Sequence, residues 1–253
     1  MDSPPTAASA VSPLHGAGRR LGPAVVRQLV DDIVSGVYSS GAPMPTEAEL
    51  CTRFGVSRTV VRESLKLMQD KGLVRIVQGK GTRITPSEKW DLIDDVVLSS
   101  LVHHDSSLAI LDQLIRVRAA LEREMAGAAA LAGGADVGPI RAAYEEMCRT
   151  VAAPAEFAAA DVRFHDAVMQ ASGNRLGHTI VTSIHDQART TGRYHGSSTR
   201  AGLDRTLDEH LSILEAIESG DTDAAQRAMY AHIVDAWRRR RPAAEESTPP
   251  PAG

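Results

Sequence analysis

The sequence predicts a mainly α-helical chain: an N-terminal winged helix-turn-helix with a small β-hairpin wing, then an all-α bundle of about seven helices. Three observations predict it. Within the first 85 residues, two short helical patterns flank a Gly-containing turn and are followed by a hairpin pattern. From Trp90 onward, helical periodicity runs without a strand signal. Finally, three histidines and an aspartate stand on core-facing positions of that helical region, where leucine is the ordinary occupant.

Bulk properties frame these patterns. At 253 residues the chain suits two domains. Cys51 and Cys148 lack CxxC spacing, which argues against a disulfide scaffold and fits a reducing cytosol. The N-terminus has neither a basic start nor an apolar run, and no stretch reaches the roughly 18 apolar residues of a membrane helix. The expected setting is therefore cytoplasmic, without membrane contact. The net charge of −4 hides an asymmetry: eleven Lys/Arg face seven Asp/Glu through residue 85, and seventeen face twenty-five thereafter. A basic small domain ahead of an acidic larger one permits a nucleic-acid partner at the N-terminal end.

Residues 1–18, rich in Ala, Pro, Ser and Gly, are expected to be a disordered tail. A DNA-binding domain is expected over 19–85, a linker and first helix over 86–106, the helical domain over 107–240, and a second disordered tail over 241–253. The first helix, about 23–35, would bury Val26, Leu29, Val30 and Ile33. Gly36 to Pro45 carries loop chemistry. Thr46 and Glu49 have the spacing of a capping box for a short helix ending at Phe54-Gly55. Ser57 caps a second helix over 58–70, with Val61, Leu65 and Met68 inward and Arg58, Arg62 and Lys66 on another side. Thr59 lies at the end that enters a major groove in such motifs. Residues 73–77 and 82–85 flank a turn, Gln78 to Gly81, whose Lys80 gives the wing a basic tip.

The run Met44-Pro45-Thr46-Glu47-Ala48-Glu49-Leu50, then Val56 through Leu65, closing on Gly72-Leu73-Val74, resembles the winged helix of the GntR superfamily. That resemblance covers about 20–85 and implies a regulator of double-stranded operator DNA. It assigns DNA contact to Arg58, Thr59 and Arg62, with Gly79 in the wing. Lys66 and Lys80 extend the same basic surface. Two departures stand out: Ala48 replaces an arginine common in the family, and Gln78 stands where some members have His.

Helices are expected near 89–103, 107–131, 136–151, 155–171, 174–192, 201–218 and 222–239, with an arginine run, Arg238 to Arg241, at the end suited to the helix dipole. An advance of about 100° per residue puts Leu203, Leu207, Leu214 and Ile217 on one stripe with His210 in its middle. His232 borders the next stripe beside Ala225, Met229 and Ala236, while Asp161 and His165 share a face with Phe157, Phe164 and Val168. Inward polar groups need partners, and three imidazoles with one carboxylate suit a divalent metal. Zinc is the first choice, with nickel or manganese as alternatives.

Asp161 through His165, Gly173-Asn174, Glu209-His210, Gly220-Asp221 and His232 resemble the FCD effector domain of the FadR branch. In that family the equivalent Asp and three His bind a metal, so the resemblance assigns Asp161, His165, His210 and His232 as ligands and implies a homodimer. Arg118 falls in the apolar stripe Leu111, Leu114, Leu121 and Met125, with Glu122 four residues on. An internal ion pair and a clamp for an effector carboxylate are both open for it. Arg116 and Arg123 face solvent, and His178 and His185 lie away from Leu176, Ile180 and Ile184, so neither histidine is a first-choice ligand. The segments 47–51, 90–92 and 95–98 look most like galactonate-type repressors, implying a repressor that answers a small carboxylate, a sugar acid by preference. A metal-sensing regulator and a metalloenzyme are the alternatives. The absence of an HExxH motif and of a general base beyond the ligands argues against the enzyme.

Overall fold

The computed structural model describes residues 21–79, 81–132, 137–189 and 199–241. The expected disordered tail at 1–18, residues 242–253 and Lys80 at the wing tip lie outside the described residues. The chain divides into two compact units, Met1–His104 and Asp105–Gly253.

In the first unit, α1 (Leu21–Val34) buries Val25, Val26, Leu29, Val30 and Ile33. Thr46 starts α2 (Glu47–Phe54) through a reciprocal capping box: the Thr46 amide donates to Glu49 Oε2 at 2.7 Å, and the Glu49 amide to Thr46 Oγ1 at 3.3 Å. Gly55 ends it at φ +65°, the left-handed conformation that glycine adopts without a Cβ clash. Ser57 then accepts from the Val60 amide and starts α3 (Arg58–Asp70), which buries Val61, Ser64, Leu65 and Met68. The wing follows: β1 (Val74–Val77) pairs antiparallel with β2 (Gly81–Ile84), from Val74 opposite Ile84 to Val77 opposite Gly81.

Beyond the wing the chain folds back on the end of α3. The Asp91 amide donates to Lys71 O at 2.9 Å, and Trp90 Nε1 to Thr85 O at 3.3 Å. Gly72, at φ +75°, faces this segment so closely that a Cβ there would lie 2.1 Å from Lys89 O. The helix expected at 89–103 accordingly starts late. A 3-10 turn at Ser87–Lys89 precedes it, and Asp94 Oδ1 accepts from the Val96 and Val97 amides to open α4 (Asp95–His104). This helix packs on α1, with Ser100 Oγ donating to Asp31 Oδ1 at 2.6 Å. It thus lies in the first unit, whereas the sequence reading set it at the head of the bundle.

The second unit holds α5 (Ala109–Leu131), α6 (Gly138–Thr150), α7 (Pro154–Ala171), α8 (Arg175–Arg189), α9 (Arg200–Glu218) and α10 (Thr222–Arg240). Proline in the first turn starts α6 and α7, and the side chains of Thr199 and Asp221 cap α9 and α10. Helix α5 is the hub, packed by α7, α8, α9 and α10. Its buried arc is therefore wider than the expected stripe: Leu111, Ile115, Arg118, Ala119, Glu122 and Met125 are buried, while Leu114 and Leu121 are half-buried. Trp237 Nε1 donates to Asp112 Oδ1 at 2.7 Å, tying the end of α10 to the start of α5. The arginine run is correspondingly less solvated than its sequence implies, because Arg239 pairs with Glu209 and Arg241 with Asp112.

Candidate functional site

Three helices bring four side chains to one point. Asp161 and His165 come from α7, one turn apart, His210 from α9 and His232 from α10. Each offers a ligand atom, and these atoms lie within 4.8 Å of one another. The three histidines are buried, whereas the Asp161 side chain keeps 23% exposure. His165 Nε2 lies 3.2 Å from His232 Nε2, and Asp161 Oδ1 lies 3.3 Å from His210 Nε2 and 4.0 Å from His165 Nε2.

The far nitrogen of each ring is already engaged. His165 Nδ1 meets Glu122 Oε2 at 2.5 Å, His210 Nδ1 donates to Thr206 O at 2.7 Å, and His232 Nδ1 meets Glu209 Oε2 at 2.9 Å. These acceptors place the ring proton on Nδ1 in all three, leaving the Nε2 lone pairs turned toward each other. Among the described residues His210 Nε2 is buried without a hydrogen-bond partner, because a ring that carries its proton on Nδ1 has none to donate to Asp161. Burial pushes His165 down and His232 down to about 3, so these two imidazoles stay neutral near pH 7. Burial alone would raise Asp161, but its contacts with His210, His165 and His232 hold it well below the usual carboxylate range. Converging lone pairs and a carboxylate, with the outer nitrogens held by acceptors, form a donor set that fits a divalent cation.

Arg118 lies behind this cluster. Its Nε donates to Glu122 Oε1, so the ion pair of the sequence reading is present, and the same arginine lines a cavity of about 480 Å³ with Asp161, His165 and His232. His185 Nε2 lies 3.3 Å from Arg118 Nη1, and burial with the Arg118 charge pushes it down to about 2. The sequence sets His185 aside because Leu176, Ile180 and Ile184 are expected to mark the inner face of α8. Leu176 is 72% exposed, however, and Val181, Ile184 and Ala188 form the inner face, which brings His185 to its flank. His178 instead pairs with Asp166 at 2.6 Å. In the sequence, Glu209 stands out only as the neighbour of His210. Burial would raise it, but hydrogen bonds from His232 and Arg239 hold it at about 2.

On the first unit, Arg58, Thr59, Arg62 and Lys66 are all exposed along α3. Arg62 Nε lies 3.0 Å from each carboxylate oxygen of Glu47, a partner the sequence reading missed because it sits fifteen positions away on another helix. Ala48 is exposed beside Glu47, and Gly79 occupies the hairpin turn at φ +72°.

Comparison with known proteins matches both units. The family of bacterial regulatory proteins, gntR family, matches residues 21–84, and the FCD domain matches residues 113–235. The galactonate operon transcriptional repressor of Escherichia coli K12 is 31% identical over 216 residues, spanning 85% of this chain and 94% of that protein. The chain belongs to the GntR family, in the branch that carries an FCD domain. A second relative of this GntR regulator, the Glc operon transcriptional activator of the same strain, is 31% identical over 79% of this chain and 81% of its own. Among solved structures, Lar, which controls the agr system of Listeria monocytogenes, shares the fold at a TM-score of 0.53 and 19% identity. That match covers 86% of this chain and 97% of Lar. No helix among the described residues is long and apolar enough to cross a membrane.

Proposed function

We propose that this GntR-family transcriptional regulator acts as a repressor whose second unit senses a small organic acid beside a divalent metal held by Asp161, His165, His210 and His232. One observation carries the reading: three buried Nε2 atoms and a carboxylate oxygen converge, and Asp161, His165 and His232 among these four residues line a cavity that arginines also line. Zinc suits the donor set best, with nickel or manganese next. When bound, the metal supplies a positive centre that accepts an acid or hydroxyl oxygen. The protein does the rest. Glu122, Glu209 and Thr206 O fix the three imidazoles, while Arg118, oriented by Glu122, lines the cavity where the effector carboxylate binds. A sugar acid is the favoured effector, in line with the galactonate operon repressor among the relatives.

At the other end, α3 reads the major groove through Arg58, Thr59, Arg62 and Lys66, with the wing at Gly79 and Lys80 on the neighbouring backbone. A homodimer presents two such helices to paired half-sites, and the acid favours the dimer state whose spacing no longer fits the operator. The test is operator binding and thermal melting with a panel of sugar and hydroxy acids, before and after chelation. One acid should stabilise the metal-loaded protein and release DNA. If no acid alters either quantity, the reading is wrong. The fact that four protein donors converge, the number a closed zinc site uses, favours a second reading, metal sensing. Metal titration of operator binding without any acid separates the two.

A further inference from the structure

With a divalent cation at the histidine cluster, the cavity carries more positive charge than a single carboxylate neutralises. Arg118, Arg205, Arg239 and Arg240 all line it. Arg118 is matched by Glu122, and Arg239 by Glu209, whose two oxygens receive its Nη1 and Nη2 at 2.6 and 2.8 Å. With Asp161 as the remaining wall carboxylate, Arg118, Arg239 and Arg205 face three carboxylates, and a bound divalent cation adds two positive charges. A monoanionic effector leaves one of those charges unmatched in a partly desolvated space, where like charges are costly.

The excess is not spread evenly. Helices α9 and α10 form an antiparallel hairpin closed by the short turn at Ser219–Asp221. Arg205 precedes His210 by five residues, while Arg239 and Arg240 follow His232 by seven and eight, so all three arginines stand on the open end, farther from the turn than the histidines. At about 1.5 Å per residue they lie about 7 to 12 Å along the helices from the histidines. Arg205 is exposed and makes no ion pair with any described residue. No internal carboxylate has been supplied for it, unlike Arg118 and Arg239.

We propose that the effector is a dianion, a hydroxylated chain of about four to six carbons with an acidic group at each end. One group sits at the histidine cluster and the other is bound by Arg205 at the open end. This deepens the acid-sensing reading and rests on it. The inner acid group is held where the four ligand side chains meet. The hydroxyl groups satisfy the polar atoms between, and the outer group takes the charge-assisted hydrogen bonds that Arg205 offers. Specificity against the corresponding monoacid follows from leaving Arg205 without its anion.

The experiment compares acids that differ only at the far end: galactonate with galactarate, gluconate with glucarate, and gluconate with 6-phosphogluconate. Binding to the full-length, metal-loaded protein is measured by calorimetry at two salt concentrations. The diacid of a pair should bind about tenfold tighter than its monoacid, with the ratio shrinking at higher salt. Arg205→Gln should bring the ratio close to one, and Arg205→Lys should keep most of it. Preference for the phosphorylated acid alone identifies the outer group as a phosphate, and preference for the aldaric acids identifies it as a carboxylate. Equal affinities within each pair, or a ratio that survives Arg205→Gln, overturns the proposal while leaving acid sensing intact. If neither member of any pair binds, acid sensing itself fails, and the dianion proposal with it.

Discussion

His165 and His232 meet through their Nε2 atoms at 3.2 Å, while the opposite nitrogen of each ring is bonded to a buried or half-buried carboxylate, Glu122 for one and Glu209 for the other. Two lone pairs at that distance repel unless something positive lies between them. The carboxylates make this arrangement worse for a bare protein and better for a cation, because they keep the rings proton-bearing on Nδ1 and raise the basicity of Nε2. Glu209→Gln should therefore weaken metal affinity about 10- to 100-fold, read by competition with a chromophoric chelator. Unchanged affinity would mean that Glu209 serves only Arg239.

Arg118 and Glu122 form a buried i,i+4 pair with the two side chains 6% and 1% exposed. Arg118→Ala leaves a carboxylate in the core with only His165 to answer it. A loss of about 3–5 kcal/mol is expected, seen as a fall in the thermal midpoint. A loss below about 1 kcal/mol would show that water reaches Glu122 as readily as in an exposed pair.

Asp112 anchors the end of α10. Hydrogen bonds from Arg241 lead the causes that lower its pKa, outweighing burial, and Trp237 adds to them. A depressed carboxyl pKa stabilises the fold above the unfolded value of about 3.9 and loses that contribution as pH falls through the folded value. Asp112→Asn should thus cost about 1 kcal/mol at pH 7 and progressively less as pH falls below about 3.9. Thermal midpoints of both proteins across this range measure it, and a gap that widens in acid would contradict the assignment.

Gly72 has no room for a side chain, with φ +75° and a would-be Cβ 2.1 Å from Lys89 O. Gly72→Ala must move the segment behind the wing, at a cost of about 2 kcal/mol or more. Urea unfolding of the full chain should show an earlier transition in the first unit. An unshifted transition would mean that the Lys89 carbonyl turns away freely.

Arg62 is held by Glu47 in the absence of DNA. Arg62→Ala should weaken operator binding about 10-fold or more and reduce its salt dependence, while Glu47→Gln, by releasing Arg62, should strengthen binding a few-fold. Electrophoretic mobility shifts at several salt concentrations report both. Equal affinity of wild type and Arg62→Ala would remove Arg62 from the DNA-reading face.

Much of this was legible in the chain itself, because it depends on residues within a turn or two of each other. The Thr46–Glu49 capping box, the Gly55 stop, the inward set Val61, Leu65 and Met68, and the shared face of Asp161 and His165 follow from local geometry. The helical period also marked His210 and His232 as inward. What periodicity does not contain is the angle and register at which one helix meets another. That His165 finds Glu122 forty-three positions away and His232 sixty-seven away, that Arg62 finds Glu47, and that His185 comes to flank Arg118 were all decided by packing. The physical reason is one of range. Caps and faces are set by backbone hydrogen bonds spanning a few residues, whereas the convergence of α5, α7, α9 and α10 comes from burying their apolar faces together, a force that carries no sequence separation of its own.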